Sequence, residues 1–183
     1  MKKLFITVIF LCILTGCSHS MSHKIEEENK PKTNAFIDNF VTNYNEYIEI
    51  LNENDQMPPV PEKINVDADI RKEESKNDYY QIIAAETETS DSGFLYYQLR
   101  INYDVNKEFK GFHLTVFGAG GEIPVKSIGC AVVLLKSLDL DSDRAAAFFD
   151  ENKLDDEWNE NGYRIKFSKI ALAETVELSI IKE

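Results

Sequence analysis

The sequence predicts an α+β fold with one antiparallel sheet, and three observations support this prediction. Strand-like segments rich in aromatic and β-branched residues follow one another in the middle of the chain and again at its end. Segments with helical periodicity stand before and between these two groups. The 11 Phe and 8 Tyr residues can supply a large apolar core. Because strands and helices are segregated along the chain, a parallel doubly wound fold is disfavoured.

The folded part begins with a predicted amphipathic helix. Thr33 or Asn34 can cap its first turn, and Pro58, Pro59 and Pro61 prevent it from continuing. Acidic and amide residues separate its apolar positions, which recur at intervals of three and four. These positions form one stripe and are predicted to pack on the core: Phe36, Ile37, Phe40, Val41, Tyr44, Tyr47, Ile48 and Leu51.

Five or six strands are predicted after this helix. Alternating apolar residues from Ile64 to Ile70 predict a short strand. Three longer segments joined by short polar turns predict a meander: "DYYQIIAAETE", "FLYYQLRINYDV" and "FHLTVFG". Two segments at the end of the chain, "GYRIKFSKIAL" and "TVELSII", predict a C-terminal hairpin.

Two further helices are predicted between the meander and the hairpin. The apolar run from Ile128 to Leu138 indicates a buried helix laid across the sheet, with a strand as the alternative. "DSDRAAAFFDENKL" indicates a second helix, which Ser142 or Asp141 can cap. Residues 33–183 are therefore expected to form a single globular α+β domain.

The first residues of the chain have the pattern of an export signal. Met1-Lys2-Lys3 precede eleven largely apolar residues, 4–14, a length that fits the hydrophobic region of a secretory signal peptide, about 7–15 residues. A membrane-spanning helix needs about 20 apolar residues, so this segment is too short to remain as one. Residues 1–16 are therefore expected to be a signal peptide that is removed.

The end of this segment carries a resemblance to a known class of exported proteins. Leu14-Thr15-Gly16-Cys17 resembles the lipobox of bacterial lipoproteins. The resemblance implies cleavage before Cys17, a diacylglycerol on its thiol, and fatty acyl chains such as palmitate. It covers only these residues and the leader, and identifies an export class without identifying the folded domain.

The resemblance also implies a location. Stable anchoring takes two acyl chains, which a diacylglycerol at Cys17 supplies, and residues 17–32 read as a polar tether. The protein is therefore expected to be anchored by lipid in a bacterial cell envelope. The site is the outer membrane if the cell has two membranes, or the outer face of the plasma membrane if it has one.

The charge of the chain restricts its partners. It has 20 basic and 32 acidic residues, a formal net charge of −12, which becomes −14 when Lys2 and Lys3 leave with the leader. Nucleic-acid binding requires clustered Lys and Arg, so a nucleic-acid partner is not expected. Anionic headgroups would repel the domain, so the lipid alone would hold it to the membrane. A basic protein partner is the interaction that the charge favours.

Two sequence patterns partly match known ligand-binding motifs but lack essential residues of those motifs. Asp139, Asp141 and Asp143 match positions 1, 3 and 5 of a calcium loop, but Arg144 replaces the glycine and Asp150 the closing glutamate. An acidic helix N-terminus explains these aspartates as well, so whether they bind a cation stays open. A glycine-rich stretch lacks the third glycine of the dinucleotide pattern and the Lys of a P-loop, so neither nucleotide nor cofactor is predicted: Gly118, Gly120 and Gly121.

The remaining reactive residues favour a function without catalysis. Because Cys12 leaves with the leader and Cys17 carries the lipid, Cys130 is the only cysteine left with a free thiol; it lies in an apolar run and is expected to be buried and unreactive. No serine lies in a nucleophile elbow, and His19 and His23 fall in the tether. No catalytic residue or metal ligand is predicted. The favoured function is a protein-binding, accessory or structural envelope module.

The alternative function is an envelope hydrolase or a small-ligand binder. Its natural target at this location would be a carbohydrate or peptidoglycan. Such a protein would use a cleft near His113 or Trp158, which are the histidine and the tryptophan of the folded part. A concave site with converging polar groups would distinguish this alternative from the favoured function.

Overall fold

The computed structural model describes residues 34–53, 60–87, 95–118, 122–151 and 153–183. Within these ranges the chain forms three α-helices, one short 3₁₀ helix and seven strands. The helices are α1 (Ala35–Asn52), α2 (Val125–Lys136), α3 (Asp143–Asp150) and the 3₁₀ turn Ala171–Ala173. The strands are β1 (Arg71–Lys72), β2 (Tyr79–Thr87), β3 (Leu95–Tyr103), β4 (Phe109–Phe117), β5 (Asp155–Glu160), β6 (Tyr163–Ile170) and β7 (Thr175–Lys182).

All seven strands belong to one open antiparallel sheet, so the α+β class is confirmed. Their order is β1-β2-β3-β4-β7-β6-β5. The meander β2–β3–β4 and the C-terminal strands meet where β7 pairs with β4, with Gly111 opposite Ile181 and Phe117 opposite Thr175. This single pairing joins the two halves of the sheet.

One face of the sheet is covered by helices. α2 packs on β3 and β4 and lies between α1 and α3. Aromatic contacts pack the two outer helices on the sheet. The ring centroid of Phe40 on α1 lies 4.3 Å from that of Phe112 on β4, and Phe148 of α3 stacks on Phe167 of β6 at 4.7 Å. Apolar side chains of β3 and β4 are fully buried beneath α2, among them Leu99 and Leu114. The core therefore lies entirely between this face and the helices.

The sequence explains where the helices begin and what they bury. The Asn34 side chain accepts a hydrogen bond from the backbone N–H of Phe36 at 3.1 Å, which caps α1. α2 is nearly all apolar and is buried on several sides, as the sequence predicts for the run beginning at Ile128. At the start of α3 the Asp141 carboxylate, rather than Ser142, accepts the N–H of Asp143. No helix within the described residues is long and apolar enough to cross a membrane.

The predicted strand from Ile64 to Ile70 is wrong. This stretch is irregular, with bends at Val66 and Ala68, and pairs with no strand in the described chain; only the two-residue β1 follows it. The Gln81 amide donates to the carbonyls of Val66 and Ala68, at 2.8 and 2.6 Å. Side-chain hydrogen bonds therefore satisfy a backbone that the alternating pattern assigns to a strand ladder.

The predicted C-terminal hairpin is incomplete, because a third strand, β5, precedes it. β5 has the sequence DDEWNE and pairs with β6 through a tight turn at Asn161 and Gly162, both with positive φ (49° and 77°). Asn-Gly is the preferred pair for a two-residue hairpin turn. The strand was missed because its acidic residues disfavour strands, although the turn signal was present. The sheet thus has seven strands instead of five or six.

Candidate functional site

The face of the sheet turned away from the helices is polar and half-buried. Across six strands its side chains form one row, since each residue is paired with the next in register. We call this surface the open face. Its central row consists of Ile82, Arg100, His113, Ser179, Lys166 and Glu157.

A depression of about 270 Å³ lies on the open face beside His113. The loop between β1 and β2 supplies one wall, and β3, β4 and β7 supply the floor. It is the kind of concave polar site that the alternative function requires. We call it the His113 pocket; its charged and polar lining includes Lys76, Arg100, Asn102, Lys110, Glu177 and Ser179.

His113 is neutral at physiological pH in this setting. Its Nδ1 lies 3.0 Å from the Ser179 hydroxyl oxygen on the neighbouring strand. Burial, together with the positive charges of Arg100 and Lys76, lowers the pKa of His113 to about 4. The His113–Ser179 pair therefore offers a ligand hydrogen-bonding groups rather than a charge.

Arg100 is the unusual charge of this pocket. It lies opposite His113 in the ladder, and the ring centroid of Tyr80 lies 5.4 Å from its guanidinium carbon. Its Nε is buried and has no hydrogen-bond partner. Every other half-buried cation in the described chain has a partner, whereas no carboxylate lies within 4.0 Å of Arg100.

The other charges of the His113 pocket are mostly paired. Lys110 Nζ lies 2.6 Å from a carboxylate oxygen of Asp78, and Lys76 Nζ lies 3.9 Å from one of Glu73. Glu177 lines the same pocket and makes neither an ion pair nor a side-chain hydrogen bond. The pocket thus contains one unpaired cation and one unpaired anion.

A second surface concentrates the negative charge of the chain. Residues 139–160 include nine acids and two bases, a net charge of −7 out of −12 for the whole chain. These residues form α3, β5 and the segments around them at one edge of the sheet, and we call this surface the acidic edge. Seven of its acids are exposed: Asp139, Asp141, Asp143, Asp150, Glu151, Asp155 and Glu157.

The two remaining acids of this edge hold it together. Asp156 accepts two hydrogen bonds from Arg144, the shorter at 2.8 Å, which ties α3 to β5. Glu160 accepts from the Trp158 indole N–H and from the backbone N–H of Asp141, each at 3.0 Å. Trp158 also carries the Arg144 guanidinium over its ring, at 4.2 Å. Trp158 is therefore a structural residue of the acidic edge.

The three aspartates with calcium-loop spacing do not form a common site. Asp139 adopts a left-handed backbone with φ of 54°, and its carbonyl accepts from the Asn161 amide. The carboxylate of Asp141 is used to cap α3. No group of three or more His, Cys, Asp or Glu side chains in the described part of the chain is arranged to hold a metal ion.

The core contains a group of polar side chains beneath α2. The Cys130 thiol is fully buried, as predicted, and lies 3.4 Å from the Tyr44 hydroxyl. Burial raises the pKa of Cys130 to about 12, so the thiol stays protonated and unreactive. Nearby, Lys126 forms an ion pair with Glu86, whose second carboxylate oxygen is buried without a partner. Tyr44 and Cys130 are enclosed by the core, whereas the Lys126 side chain is 33% exposed at its border.

Several residues singled out in the sequence lie outside the described ranges: Leu14, Thr15, Gly16, Cys17, His19, His23, Gly120 and Gly121. Gly118 is described, and its N–H donates to the carbonyl of Glu174 at 2.7 Å. A side chain on Gly118 would lie 2.8 Å from that oxygen. Gly118 therefore serves a close backbone contact near the end of the β4–β7 pair.

The sequence pointed to His113 but not to its partners. Arg100, Glu177 and Ser179 lie on three different segments of the chain, and only the strand order brings them to one pocket. The available signal was polar alternation in otherwise apolar strands, as in the Gln-Leu-Arg-Ile-Asn run of residues 98–102. That alternation indicates an open face, but it does not indicate which charges lack partners.

Comparison of the chain with family models, with curated proteins and with solved structures gives no match.

Proposed function

We propose that this chain is a lipid-anchored protein of the bacterial envelope that binds a basic protein partner through the acidic edge. The concentration of charge carries this proposal. Seven exposed carboxylates lie on one edge, where residues 139–160 include only two bases, Arg144 and Lys153. A basic surface would therefore be attracted to the edge in one orientation.

The edge also offers backbone hydrogen bonds. β5 is the last strand of the sheet, so the side of its backbone turned away from β6 has no strand partner in the described chain. An extended segment of another protein can add to such an edge as a further strand. Exposed Asp155 and Glu157 on β5 would pair with Lys or Arg side chains of that segment.

The location rests on the leader. A diacylglycerol at Cys17, followed by a polar tether, would place the domain near the membrane without contact to anionic headgroups, which its charge disfavours. An envelope protein held in this way needs no catalytic chemistry to recruit or restrain a partner. The function is therefore that of an accessory or binding module.

Charge reversal on β5 tests this proposal. The full-length lipoprotein and its Asp155→Lys/Glu157→Lys variant would each be crosslinked in intact cells, solubilised and recovered at low and high salt. We expect the parent protein to recover a basic partner at low salt only, and the variant to recover about tenfold less or none.

The matched control is Glu46→Lys/Glu53→Lys. Glu46 lies on α1 and Glu53 directly follows it, and both are exposed, so the control changes the net charge by the same amount outside the acidic edge. We expect this control to recover the partner as the parent does. Equal loss in both variants would mean that overall charge, and not the acidic edge, governs binding. Recovery of the lipoprotein alone at every salt concentration would contradict the proposal altogether.

A further inference from the structure

Two oppositely charged residues of the His113 pocket have no ion-pair partner within the described part of the chain. Its other charged groups pair with each other, Lys110 with Asp78 and Lys76 with Glu73. Arg100 and Glu177 do not. The pocket is thus neutral as a whole, but it has a positive and a negative group available to a ligand.

Arg100 in particular requires a partner. A guanidinium stays protonated at any pH a protein experiences, so it cannot reduce the cost of burial by losing its charge. The Tyr80 ring meets one face of the group, but it cannot accept the hydrogen bond of the buried Nε. An oxygen ligand in the pocket that Arg100 lines would supply the missing negative charge.

The charge balance favours a carboxylate over a phosphate as that ligand. A single unpaired cation matches a single negative charge, and a doubly charged phosphate would be repelled by Glu177 and by the Glu73 and Asp78 carboxylates of the same pocket. The planar guanidinium can also bind a carboxylate through two parallel hydrogen bonds.

Glu177 specifies the other end of the ligand. It lies on β7, two strands away from Arg100 on β3 and two residues along β7 from Ser179, which shares a row with Arg100 and His113. Two strand spacings and a two-residue offset place the two backbones about 12 Å apart, and both side chains line the same pocket. A carboxylate ligand that also carries an ammonium group would pair with both residues.

We infer that the His113 pocket binds a small zwitterion, an amino acid or a short peptide. Its carboxylate pairs with Arg100, its ammonium group pairs with Glu177, and the neutral His113–Ser179 pair hydrogen-bonds the part between. The volume of about 270 Å³ is at the small end of ligand pockets, which suits a ligand of this size. This binding is independent of any protein partner at the acidic edge.

Three dipeptides with the same side chains and different terminal groups test the inference. The full-length protein in detergent would be titrated by calorimetry with the dipeptide Ala-Ala, with N-acetyl-Ala-Ala, which lacks the ammonium group, and with Ala-Ala-amide, which lacks the carboxylate. We expect Ala-Ala to bind with a Kd on the order of 1 mM or below. We expect each modified peptide to bind about tenfold more weakly or not at all.

Single substitutions test whether Arg100 and Glu177 are the residues that pair with the ligand. Arg100→Gln should weaken Ala-Ala binding about tenfold or more, and so should Glu177→Gln. Their controls are Arg164→Gln and Glu46→Gln, which remove the same charges from exposed positions outside the pocket and should leave the Kd within about twofold. Thermal unfolding of each variant would establish that it is folded.

Absence of Ala-Ala binding up to about 10 mM in the folded parent protein would overturn the inference. Equal binding of all three peptides, or equal loss in the pocket variants and their controls, would also overturn it. Neither result would affect the partner at the acidic edge, which the crosslinking experiment tests separately.

Discussion

His113 illustrates how a single residue takes its properties from its neighbours. In the sequence it is a histidine in an alternating strand, with an ordinary pKa near 6.5. In the fold it faces the pocket, bonds to Ser179, and is surrounded by the positive charges of Arg100 and Lys76. These surroundings disfavour a further positive charge, so the residue stays neutral.

This pKa shift predicts a pH dependence of stability. Because the pKa of His113 is about 4 in the fold and about 6.5 in the unfolded chain, the unfolded chain takes up this proton first as the pH falls. Acid therefore lowers the free energy of unfolding. This loss is absent above about pH 6.5, grows as the pH falls to about 4, and is at most about 3 kcal/mol. His113→Gln should remove it.

Urea unfolding at several pH values between about 7 and 4 would measure this effect. We expect the free energy of unfolding to fall less steeply with acid in His113→Gln than in the parent protein, by about 1–3 kcal/mol over this range. Ser179→Ala, which keeps the histidine, is the control and should retain most of the steep fall. Parallel curves for His113→Gln and the parent would show that His113 titrates normally.

At the scale of elements, the sheet depends on two glycines with different requirements. Gly111 lies on β4 at the start of its pairing with β7, and a Cβ there would lie 2.0 Å from the carbonyl oxygen of Ile180. Gly162 lies in the β5–β6 turn with φ of 77°, and a Cβ there would meet nothing within 4 Å. The first glycine is required by space as well as by its φ of 155°, and the second by backbone conformation alone.

Replacing each glycine with alanine separates these two requirements. Gly111→Ala should destabilise the fold by more than about 3 kcal/mol, because β4 and β7 must move apart at the pairing that joins the halves of the sheet. Gly162→Ala should cost about 1–2 kcal/mol, the strain of a left-handed alanine. Urea unfolding measures both, and a Gly111→Ala protein as stable as Gly162→Ala would contradict the contact at Ile180.

For the whole molecule, the proposed lipid anchor would determine where its surfaces work. If the leader is processed as the resemblance to the lipobox implies, the open face and the acidic edge would meet their ligands in the cell envelope. This processing depends on one residue, Cys17, and it can be tested without knowledge of any ligand.

Mass spectrometry and cell fractionation test the anchor. We expect the mature protein to begin at Cys17, to carry the added mass of a diacylglycerol, and to sediment with membranes. Cys17→Ala should lose this lipid mass and the membrane attachment, since the thiol is the attachment point. Cys12→Ala, in the middle of the leader, is the control and should be processed as the parent is. An unmodified thiol at Cys17 in the native protein would contradict the localisation.

The sequence predictions succeeded where the interactions are local in the chain and failed where residues distant in the sequence interact. The cap at Asn34, the buried thiol of Cys130 and the helical character of α2 depend on residues close together in the chain or on local apolar content. The strand predicted from Ile64 failed because the Gln81 side chain, far from it in sequence, satisfies its backbone. β5 was missed because its pairing with β6 outweighs the poor strand propensity of its acids.

The sequence by itself determined the α+β class and the acidic character of the chain, because composition and local periodicity are sufficient for each, and it predicts the export signal. Only the tertiary structure decided which charges remain unpaired. Arg100 and Glu177 share a pocket because β4 pairs with β7, between residues 58 to 70 positions apart in the chain. Local patterns contain no information on such a pairing, since its free energy comes from the core that the two halves of the sheet bury together.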